Sequence, residues 1–231
     1  MRVAVLSDVH GNLTALRAVL ADIDARGPFD VIVNAGDLAF GGPRPREAVD
    51  LLASRGFPTV VGNTDEWVAG APGGPEALVA WTRSRLRPEQ LQYLRGLPRA
   101  HRVEPPDGPP LVVVHATPTS TTDVVEPDAP PDLVARLFDE AGARTLVYGH
   151  IHRAYVREVA GGLLVNAGSV GFPFDGLPHA AWAALWTEDG RWRAEIRRVP
   201  YDWEAVAAEL ESGDHPEGAT FARRVRTGRM A

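Results

Sequence analysis

The sequence predicts an α/β fold with a parallel or mixed β-sheet and a second, antiparallel sheet. Short β-branched runs alternate with helical periodicity over residues 1–61, which is typical of βαβ units. The last third of the chain instead contains closely spaced short strands with glycine turns, the pattern of an antiparallel meander. Polar side chains directly follow several apolar runs, at the strand ends where α/β sheets bind ligands.

Two helices separate the first three predicted strands. Those strands are 4–6, 30–34 and 59–61. Asn12 can cap the first helix and Gly27 ends it, and the apolar residues between them repeat at helical spacing. The second helix starts near Pro45, after a Gly-Gly-Pro turn, and ends at Gly56.

The next segment, about 64–98, interrupts this alternation and is predicted to be a helical insertion with helices at 75–86 and 88–97. An insertion beside the strand ends could act as a lid or as a wall that sets specificity. The alternative is a helix pair that only packs on the domain, and the sequence leaves both open. The elements predicted next are strands at 101–103 and 111–114, a polar loop at 117–132 and a helix at 133–141.

The remaining chain is predicted to form the antiparallel sheet and a C-terminal helical extension. The predicted strands are 145–148, 155–159, 162–166, 180–187 and 192–199, of which the last four form the meander. From about residue 202, helices at 202–210 and 216–226 complete a single predicted domain over 1–231. A solvated, fraying helix end is predicted for the terminal arginines Arg223, Arg224, Arg226 and Arg229.

Composition excludes several classes of function. The chain of 231 residues is 45% hydrophobic and 23% charged, which suits a globular protein with a full core. Its net charge of −6 argues against general nucleic-acid binding, and the lack of cysteine excludes disulfides, thiolate zinc sites and a cysteine nucleophile. Without a signal-peptide pattern or an apolar run near ~18 residues, we expect no membrane association and a cytoplasmic location.

Seven polar side chains follow five apolar runs and form a candidate metal site. In chain order they are Asp8, His10, Asp37, Asn63, His115, His150 and His152. Each residue alone has a structural explanation, such as a turn, a cap or a buried histidine. If the five strands lie side by side, their carboxyl ends bring these donors to one edge, where they suit a divalent metal. In an extended chain, His150 and His152 would point to the same side.

The ordered motifs resemble those of the calcineurin-like metallophosphoesterase superfamily. They are Asp8-x-His10, Gly36-Asp37, Gly62-Asn63-x-Asp65, His115 and Gly149-His150-x-His152. The stretches 81–82, 97–98, 166–171 and 199–202 also resemble a bacterial subgroup of small phosphodiesterases that is often labelled diadenosine-tetraphosphatase-like. The resemblance runs over residues 1–170. It implies a four-layer α/β/β/α sandwich with two mixed sheets and flanking helices.

The resemblance also implies two divalent metal ions. The ligands of one ion would be Asp8, His10 and His152. Those of the other ion would be Asn63, His115 and His150, and the Asp37 carboxylate would bridge the two ions. Manganese or iron suits such donors, with zinc as a further option. Two ions stabilise the entering and leaving oxygens while a metal-bridging hydroxide attacks phosphorus. The catalytic residues implied by the resemblance are Asp37, Asn63, Thr64 and Asp65.

Three positions depart from the superfamily pattern. Thr64 stands where the third motif usually has a histidine that serves as general acid or phosphate donor, and a threonine hydroxyl does not titrate near neutrality. Ala116 follows His115, where glycine is usual. Relatives in the subgroup often have an arginine after the stretch 166–171, whereas this chain has the aromatic residues Phe172 and Phe174 nearby.

The function predicted from the sequence is metal-dependent hydrolysis of a phosphodiester or phosphomonoester. The binding partner would be a phosphorylated small molecule or a nucleotide. An alternative enzyme would hydrolyse the pyrophosphate bond of a dinucleoside polyphosphate. A different class is a catalytically weak scaffold with the same fold, which the missing histidine at position 64 would suit. The presence of all seven donors favours an enzyme, and a homo-oligomer is left open.

Overall fold

The computed structural model describes residues 1–230, and this part of the chain contains nine strands and eight helices. The strands are β1 (Arg2–Leu6), β2 (Val31–Asn34), β3 (Ala100–Val103), β4 (Leu111–Val114), β5 (Thr145–Tyr148), β6 (Tyr155–Val159), β7 (Gly162–Asn166), β8 (Ala180–Glu188) and β9 (Arg191–Val199). The helices are α1 (Leu13–Arg26), α2 (Pro45–Arg55), α3 (Asn63–Ala69), α4 (Glu76–Arg85), α5 (Pro88–Arg95), α6 (Pro131–Ala141), α7 (Trp203–Ser212) and α8 (Gly218–Thr227). No helix among the described residues has both the length and the apolar character needed to cross a bilayer.

Two mixed sheets organise these elements. The four-stranded sheet has the order β2-β1-β8-β9, and the five-stranded sheet has the order β3-β4-β5-β7-β6. β1 runs parallel to β2 and antiparallel to β8, while β5 runs parallel to both β4 and β7. The parallel pairs β1–β2 and β4–β5 are connected through α1 and α6, because parallel neighbours need a crossover connection.

Three buried apolar clusters define the layers. Val5 of β1, Val113 of β4 and Val147 of β5 belong to one cluster, which lies between the sheets. Trp182 of β8 belongs to a second cluster, in which the outer face of the four-stranded sheet meets α1, α2, α7 and α8. Phe138 of α6 belongs to the third cluster, on the outer face of the five-stranded sheet. These contacts confirm the predicted four-layer α/β/β/α sandwich.

Strand β1 shows why the central strands are apolar throughout. Val3 and Val5 belong to the cluster between the sheets, whereas Ala4 and Leu6 belong to the cluster under the helices. All four side chains are fully buried. Successive side chains point to opposite faces, and both faces of this strand are covered. The sequence therefore shows a continuous apolar run without polar alternation.

The run that was predicted as the third strand does not form one. Thr59 makes a single parallel bridge to Asn34, and the Val60 N–H donates to the Asn34 carbonyl at 3.0 Å. The Val61 N–H donates instead to the Pro98 carbonyl at 2.8 Å. Because this N–H is bonded to the segment that follows α5, pairing with β2 ends after one bridge.

The meander that was predicted as one second sheet is divided between the two sheets. β6 and β7 pair with each other and join β5, whereas β8 and β9 pair with each other and join β1. The loop between these hairpins crosses from one sheet to the other. In it, the N–H groups of Val170 and Gly171 donate at 2.9 Å to the carbonyls of Ser7 and Asp8. Local periodicity identifies a strand but not its partner, so the prediction was wrong on pairing.

The insertion contains a short helix, α3, that was not predicted. It begins after Gly62, and Asp65 accepts the Gly62 N–H at 3.0 Å in a capping-box arrangement. The predicted helices are present as α4 and α5, and they bury Leu78 and Leu94 in the outer cluster. Within the described part of the chain, no hydrogen bond joins a side chain of α4 or α5 to the seven predicted donors. These contacts favour a packing role for the helix pair.

The C-terminal helices pack on the domain. Val206 of α7 and Val225 of α8 are buried in the outer cluster. Arg226 of α8 pairs with Glu204 at 3.1 Å and with Glu211 at 2.5 Å, both on α7. Arg223 and Arg229 are exposed, but the prediction of a fraying end is wrong for α8, because one face of this helix carries apolar residues that the arginine spacing did not reveal.

Leu16 offers a test of the outer core. Leu16 on α1 is fully buried, whereas the neighbouring Arg17 is exposed. We expect Leu16→Ala to lower the free energy of unfolding by about 2–5 kcal/mol, because the truncation leaves a cavity. Arg17→Ala, the matched control, should change it by less than about 0.5 kcal/mol. Urea denaturation measures both values, and equal effects of the two substitutions would contradict the assigned layers.

Candidate metal centre

The seven predicted donors come from loops that follow β1, β2, β4 and β5 and from the start of α3. The loops belong to two sheets, so the donors do not share one sheet edge as predicted. Five donors have left-handed backbone, with φ of 55° at Asp8, 51° at His10, 58° at Asp37, 65° at His150 and 57° at His152. Such values are uncommon outside glycine, cost about 1–3 kcal/mol each and cluster at functional sites.

Hydrogen bonds fix these loops to one another. The Asp8 N–H donates to the Gly36 carbonyl at 2.9 Å, and the His10 N–H donates to the Asp37 carbonyl at 2.9 Å. These bonds continue the parallel pairing of β1 and β2 beyond the strands. Across the sheets, the His150 N–H donates to Asp8 Oδ2 at 3.0 Å. The loops of both sheets are therefore held in one arrangement by backbone groups.

Asp8, His10 and His152 form the first donor group. His10 Nδ1 lies 2.7 Å from the Phe40 carbonyl, and His152 Nδ1 lies 2.5 Å from the Phe172 carbonyl. Because a carbonyl oxygen only accepts, each Nδ1 carries a proton and each neutral ring presents a lone pair at Nε2. The two Nε2 atoms are 3.1 Å apart, and His152 Nε2 is 3.1 Å from Asp8 Oδ1.

The centre of this first group lacks a hydrogen-bond donor. Asp8 Oδ1 is buried, and no donor among the described residues forms a hydrogen bond with it. Its lone pairs and those of the two Nε2 atoms converge, an arrangement that is repulsive unless positive charge lies between them. Carboxylate oxygen and imidazole nitrogen are common ligands of divalent transition metals. The residues present therefore fit a divalent cation.

A second donor group combines Asp8, Asp37 and His115. His115 Nδ1 donates to the Ala35 carbonyl at 2.8 Å, so the neutral ring again presents its Nε2 lone pair. That Nε2 lies 2.9 Å from Asn63 Oδ1 and 3.5 Å from Asp37 Oδ2. Nitrogen and oxygen acceptors again face one another, so this group fits a cation for the same reason.

Asp37 lies between the two groups. Its Oδ2 is 3.5 Å from Nε2 of His10 and 3.5 Å from Nε2 of His115. Its Oδ1 accepts the Thr64 N–H at 3.0 Å. A Cβ at Gly62 would collide with Asp37 Oδ1, so only glycine fits at this position. The carboxylate is thus fixed with one oxygen directed at imidazoles of both groups.

His150 lies beside the second group but belongs to neither. Its ring centroid is 5.1 Å from that of His115, and its Nε2 lies 3.2 Å from the Thr122 carbonyl. Nε2 therefore carries the proton, and Nδ1 keeps its lone pair. The expectation that His150 and His152 point to the same side is wrong. Both residues have left-handed rather than extended backbone, and their rings lie against different histidines.

Asp65 and Thr64 lie next to the donors but in neither group. The Asp65 carboxylate accepts the N–H of Asp37 at 2.8 Å and that of Leu38 at 2.9 Å. Burial and the charge of Asp37 raise the pKa of Asp65 to about 7, although these backbone bonds oppose the rise. Thr64 Oγ1 is buried without a hydrogen-bond partner among the described residues. Asp65 thus holds the backbone that carries Asp37.

The charges of the centre shift the pKa values of its donors. Burial opposes protonation of His10 and His115, but the nearby carboxylates outweigh it and raise the pKa of both rings. Burial also opposes ionisation of Asp8, yet the neighbouring imidazoles, when they are protonated, hold its pKa well below the usual value. Burial lowers the pKa of His150, and so does the charge of His115 when that ring is protonated. The carboxylates thus favour positive charge at the centre.

A supporting residue that the sequence interpretation missed is Ser169, in the loop after β7. Its Oγ donates to the Asp8 carbonyl and accepts the Phe172 N–H, each at 2.8 Å. Phe172 in turn provides the carbonyl that orients His152. The resemblance over 166–171 marked this stretch without assigning a role. Nothing in local periodicity indicates that a loop serine reaches the loop after β1.

Asp65→Asn tests the support of Asp37. An amide has a single oxygen acceptor, so at least one buried backbone N–H would lose its partner, at a cost of about 1–3 kcal/mol. We expect this loss in the free energy of unfolding, measured with urea in the presence of EDTA so that metal binding does not contribute. Asp189→Asn, in the turn between β8 and β9, is the matched control and should change stability by less than about 0.5 kcal/mol. Equal stability of both variants would contradict this role of Asp65.

Comparison with known proteins identifies the family. Residues 1–189 match the calcineurin-like phosphoesterase superfamily domain. The chain is similar to a metallophosphoesterase from Sphaerobacter thermophilus, with 30% identity, a TM-score of 0.77 and 99% of each chain covered. A hypothetical protein from Pyrococcus horikoshii has 21% identity and a TM-score of 0.84, covering 100% of this chain and 99% of its own. An uncharacterized protein from Methanocaldococcus jannaschii is 31% identical, with 93% of this chain and 94% of its own covered. A family match over most of the chain, together with the buried donor groups, means that the protein belongs to the calcineurin-like phosphoesterase superfamily of metal-dependent enzymes.

Proposed function

We propose that the protein is a dinuclear metal-dependent phosphoesterase that hydrolyses a phosphodiester or phosphomonoester of a small molecule. The observation that carries this proposal is the pair of buried donor groups that share Asp8 and have Asp37 between them. A single cation would leave one group of converging lone pairs without positive charge. Two cations would satisfy both groups, and two-metal sites of this kind are typical of phosphoryl-transfer enzymes.

The proposed ligands divide between the two cations. The ligands of one cation would be Asp8, His10 and His152. Those of the other cation would be Asn63, His115 and His150, and the Asp37 carboxylate would bridge the two cations. The equal distance of 3.5 Å from Asp37 Oδ2 to an imidazole of each set supports the bridging role. Manganese or iron suits these oxygen and nitrogen donors, and zinc is a further option.

Divalent cations at these positions would supply Lewis acidity toward a phosphoryl oxygen and would activate water for attack on phosphorus. The residues of the chain contribute orientation and charge balance. The carbonyls of Phe40 and Phe172 hold two imidazoles with Nε2 toward the centre. Asn63 can complete a coordination shell without adding negative charge, which limits repulsion of the anionic substrate.

The surroundings of Thr64 determine which esters the proposed enzyme cleaves fastest. The Thr64 hydroxyl does not titrate near neutrality, and its buried Oγ1 is sealed from solvent. Within the described part of the chain, the only hydrogen bond from Thr64 to the centre is the one that its backbone N–H donates to Asp37 Oδ1. A leaving oxygen therefore receives no proton from this position. Esters with leaving groups of low pKa, such as aryl esters, are the best substrates under this proposal.

The alternatives have less support. A scaffold that binds no cation would have no need to bury acceptor-only groups, since their mutual repulsion costs free energy that a bound cation offsets. Hydrolysis of a dinucleoside polyphosphate and membership of the bacterial subgroup of small phosphodiesterases stay predictions that a substrate screen would test. We also infer a single domain with an insertion at about 64–98 and a C-terminal extension from about 202. The cytoplasmic location stays a prediction.

Asp37→Asn tests the proposed function. We expect the metal-stripped protein to gain turnover of bis(p-nitrophenyl) phosphate when manganese is added, because the nucleophile and the charge balance depend on the cations. Removal of the bridging charge should lower kcat/KM by at least about 100-fold. Asp189→Asn is the matched control, because both aspartates have left-handed backbone with φ of 58° and 50°. Absence of metal-dependent turnover, or equal activity of the two variants, would overturn the proposal.

Thr64→His tests the missing general acid. A histidine that reaches the leaving oxygen would protonate an alkoxide, so we expect hydrolysis of alkyl phosphates to rise by about 10-fold or more. Hydrolysis of p-nitrophenyl esters should change little, since that leaving group needs no proton. Thr64→Asn controls for the change of size at a buried position. Equal rates across a leaving-group series in the unaltered enzyme would contradict the prediction.

A further inference from the structure

A cavity of about 840 Å³ opens beside the candidate metal centre. Residues that line it include Val124, His150, Ile151, Phe174, Arg229 and Met230. Its size is in the range of cavities that hold organic ligands of nucleotide size. Because His150 is one of the proposed metal ligands and also lines the cavity, the cavity adjoins that centre.

The inner wall of the cavity is attached to the first donor group. The Phe174 ring stacks on the His152 ring with centroids 4.6 Å apart and an interplanar angle of 14°. The Phe174 N–H also donates to the His152 carbonyl at 3.0 Å. An aromatic ring is thus fixed between the donors and the cavity, and it lines the cavity. Phe172, in contrast, is buried in the core and packs on Phe221.

The outer wall comes from the end of the chain. Helix α8 ends at Thr227, and the left-handed φ of 62° at the next residue, Gly228, turns the backbone out of the helix. The Gly228 carbonyl accepts the Gly176 N–H at 2.8 Å, and a Cβ at Gly228 would collide with the Leu177 backbone. This close contact carries Arg229 and Met230 to the rim of the cavity.

Exposed apolar side chains are concentrated at this rim. Among the described residues, the large hydrophobic side chains that are exposed are Val124 (58%), Leu177 (49%), Met230 (60%) and Val156 (38%). Val124 and Met230 line the cavity, and Leu177 follows the lining residue Gly176. Exposed apolar groups around a concave surface are typical of ligand-binding sites. An apolar ligand would cover them.

Among the residues that the structure describes, the cavity also has one arginine without a carboxylate partner. Arg153 pairs with Glu126 at 3.0 Å, and the lining Asp175 pairs with Arg198. Arg229 has no carboxylate oxygen within 4.0 Å among residues 1–230. A guanidinium at the rim favours a carboxylate or phosphate ligand because it offers paired donors.

We propose that this cavity binds the organic part of the substrate, a ring-sized apolar group that bears a second negative charge. The inference rests on the proposed function, because it places the phosphoryl group of the ester at the metal centre beside His150. The ring lies against Phe174 and between Val124 and Met230. Arg229 pairs with the second anionic group, which is a carboxylate or a further phosphate. Substrates of this class are aromatic or nucleotide-like phosphoesters.

Phosphonates, which are not hydrolysed, test the proposal without relying on activity. Calorimetry on the manganese-loaded protein compares methylphosphonate, phenylphosphonate and the carboxyphenylphosphonates. We expect phenylphosphonate to bind about 10-fold more tightly than methylphosphonate, because the ring buries apolar surface. One carboxyphenylphosphonate isomer should bind more tightly than phenylphosphonate by a further factor of about 2–5, as expected for an exposed ion pair.

Two pairs of variants assign these preferences to the cavity. Arg229→Gln should abolish the gain from the carboxylate, whereas Arg223→Gln, at an exposed arginine of α8 outside the cavity lining, should keep it. Val124→Asp should abolish the preference for phenyl, whereas Val156→Asp, at an exposed valine on β6 outside the lining, should keep it. Circular dichroism checks that each variant is folded.

The outcomes separate this inference from the proposed function. Metal-dependent turnover of aryl diesters with equal binding of methyl- and phenylphosphonate would overturn the cavity assignment and leave the proposed function intact. Equal effects within each pair of variants would also overturn the assignment. The cavity assignment is supported if the protein prefers the ring and the carboxylate and if only the cavity variants abolish these preferences. This support would hold even if the absence of turnover overturned the proposed function.

Discussion

The site depends on hydrogen bonds from histidine Nδ1 atoms to backbone carbonyls. Three rings, those of His10, His115 and His152, donate in this way to loop or strand-end carbonyls within 2.5–2.8 Å. Each bond fixes the tautomer and turns the Nε2 lone pair toward the carboxylates. If these carbonyls were displaced, the rings could rotate and the converging acceptors that make a cation favourable would be lost.

This orientation in turn requires two sheets packed face to face. The carbonyls and the donors belong to different loops, and bonds such as that from His150 N–H to Asp8 Oδ2 cross between the sheets. The apolar cluster around Val5, Val113 and Val147 sets the spacing of the sheets. Packing in this layer therefore controls the geometry of a polar centre at its end. The left-handed backbone at five donors is tolerated because both sheets fix the loops.

The cavity beside the centre has a different origin. Its walls come from the loop before α6, the loop after β5 that carries His150, the loop that crosses between the sheets and the residues after α8, all of which lie outside the strands and helices. Surface segments of this kind can vary without disturbing the layers, so they are suited to set the substrate class on a fixed metal centre. Phe174 connects the two parts, since it stacks on His152 and also lines the cavity.

The sequence by itself predicted the nine strands and most helices, and it named seven candidate donors that the structure places near one another, because burial and hydrogen-bonding chemistry leave local patterns. Residues such as Asp8 and His115 could be named because each ends an apolar run. Only the tertiary structure decided that residues 59–61 leave the sheet, that the two hairpins join different sheets and that Ser169 supports Asp8. The tertiary structure also decided the left-handed backbone angles of His150 and His152, which direct the two rings to different sides. These features depend on contacts between residues far apart in the chain, and periodicity within a segment carries no information about such contacts.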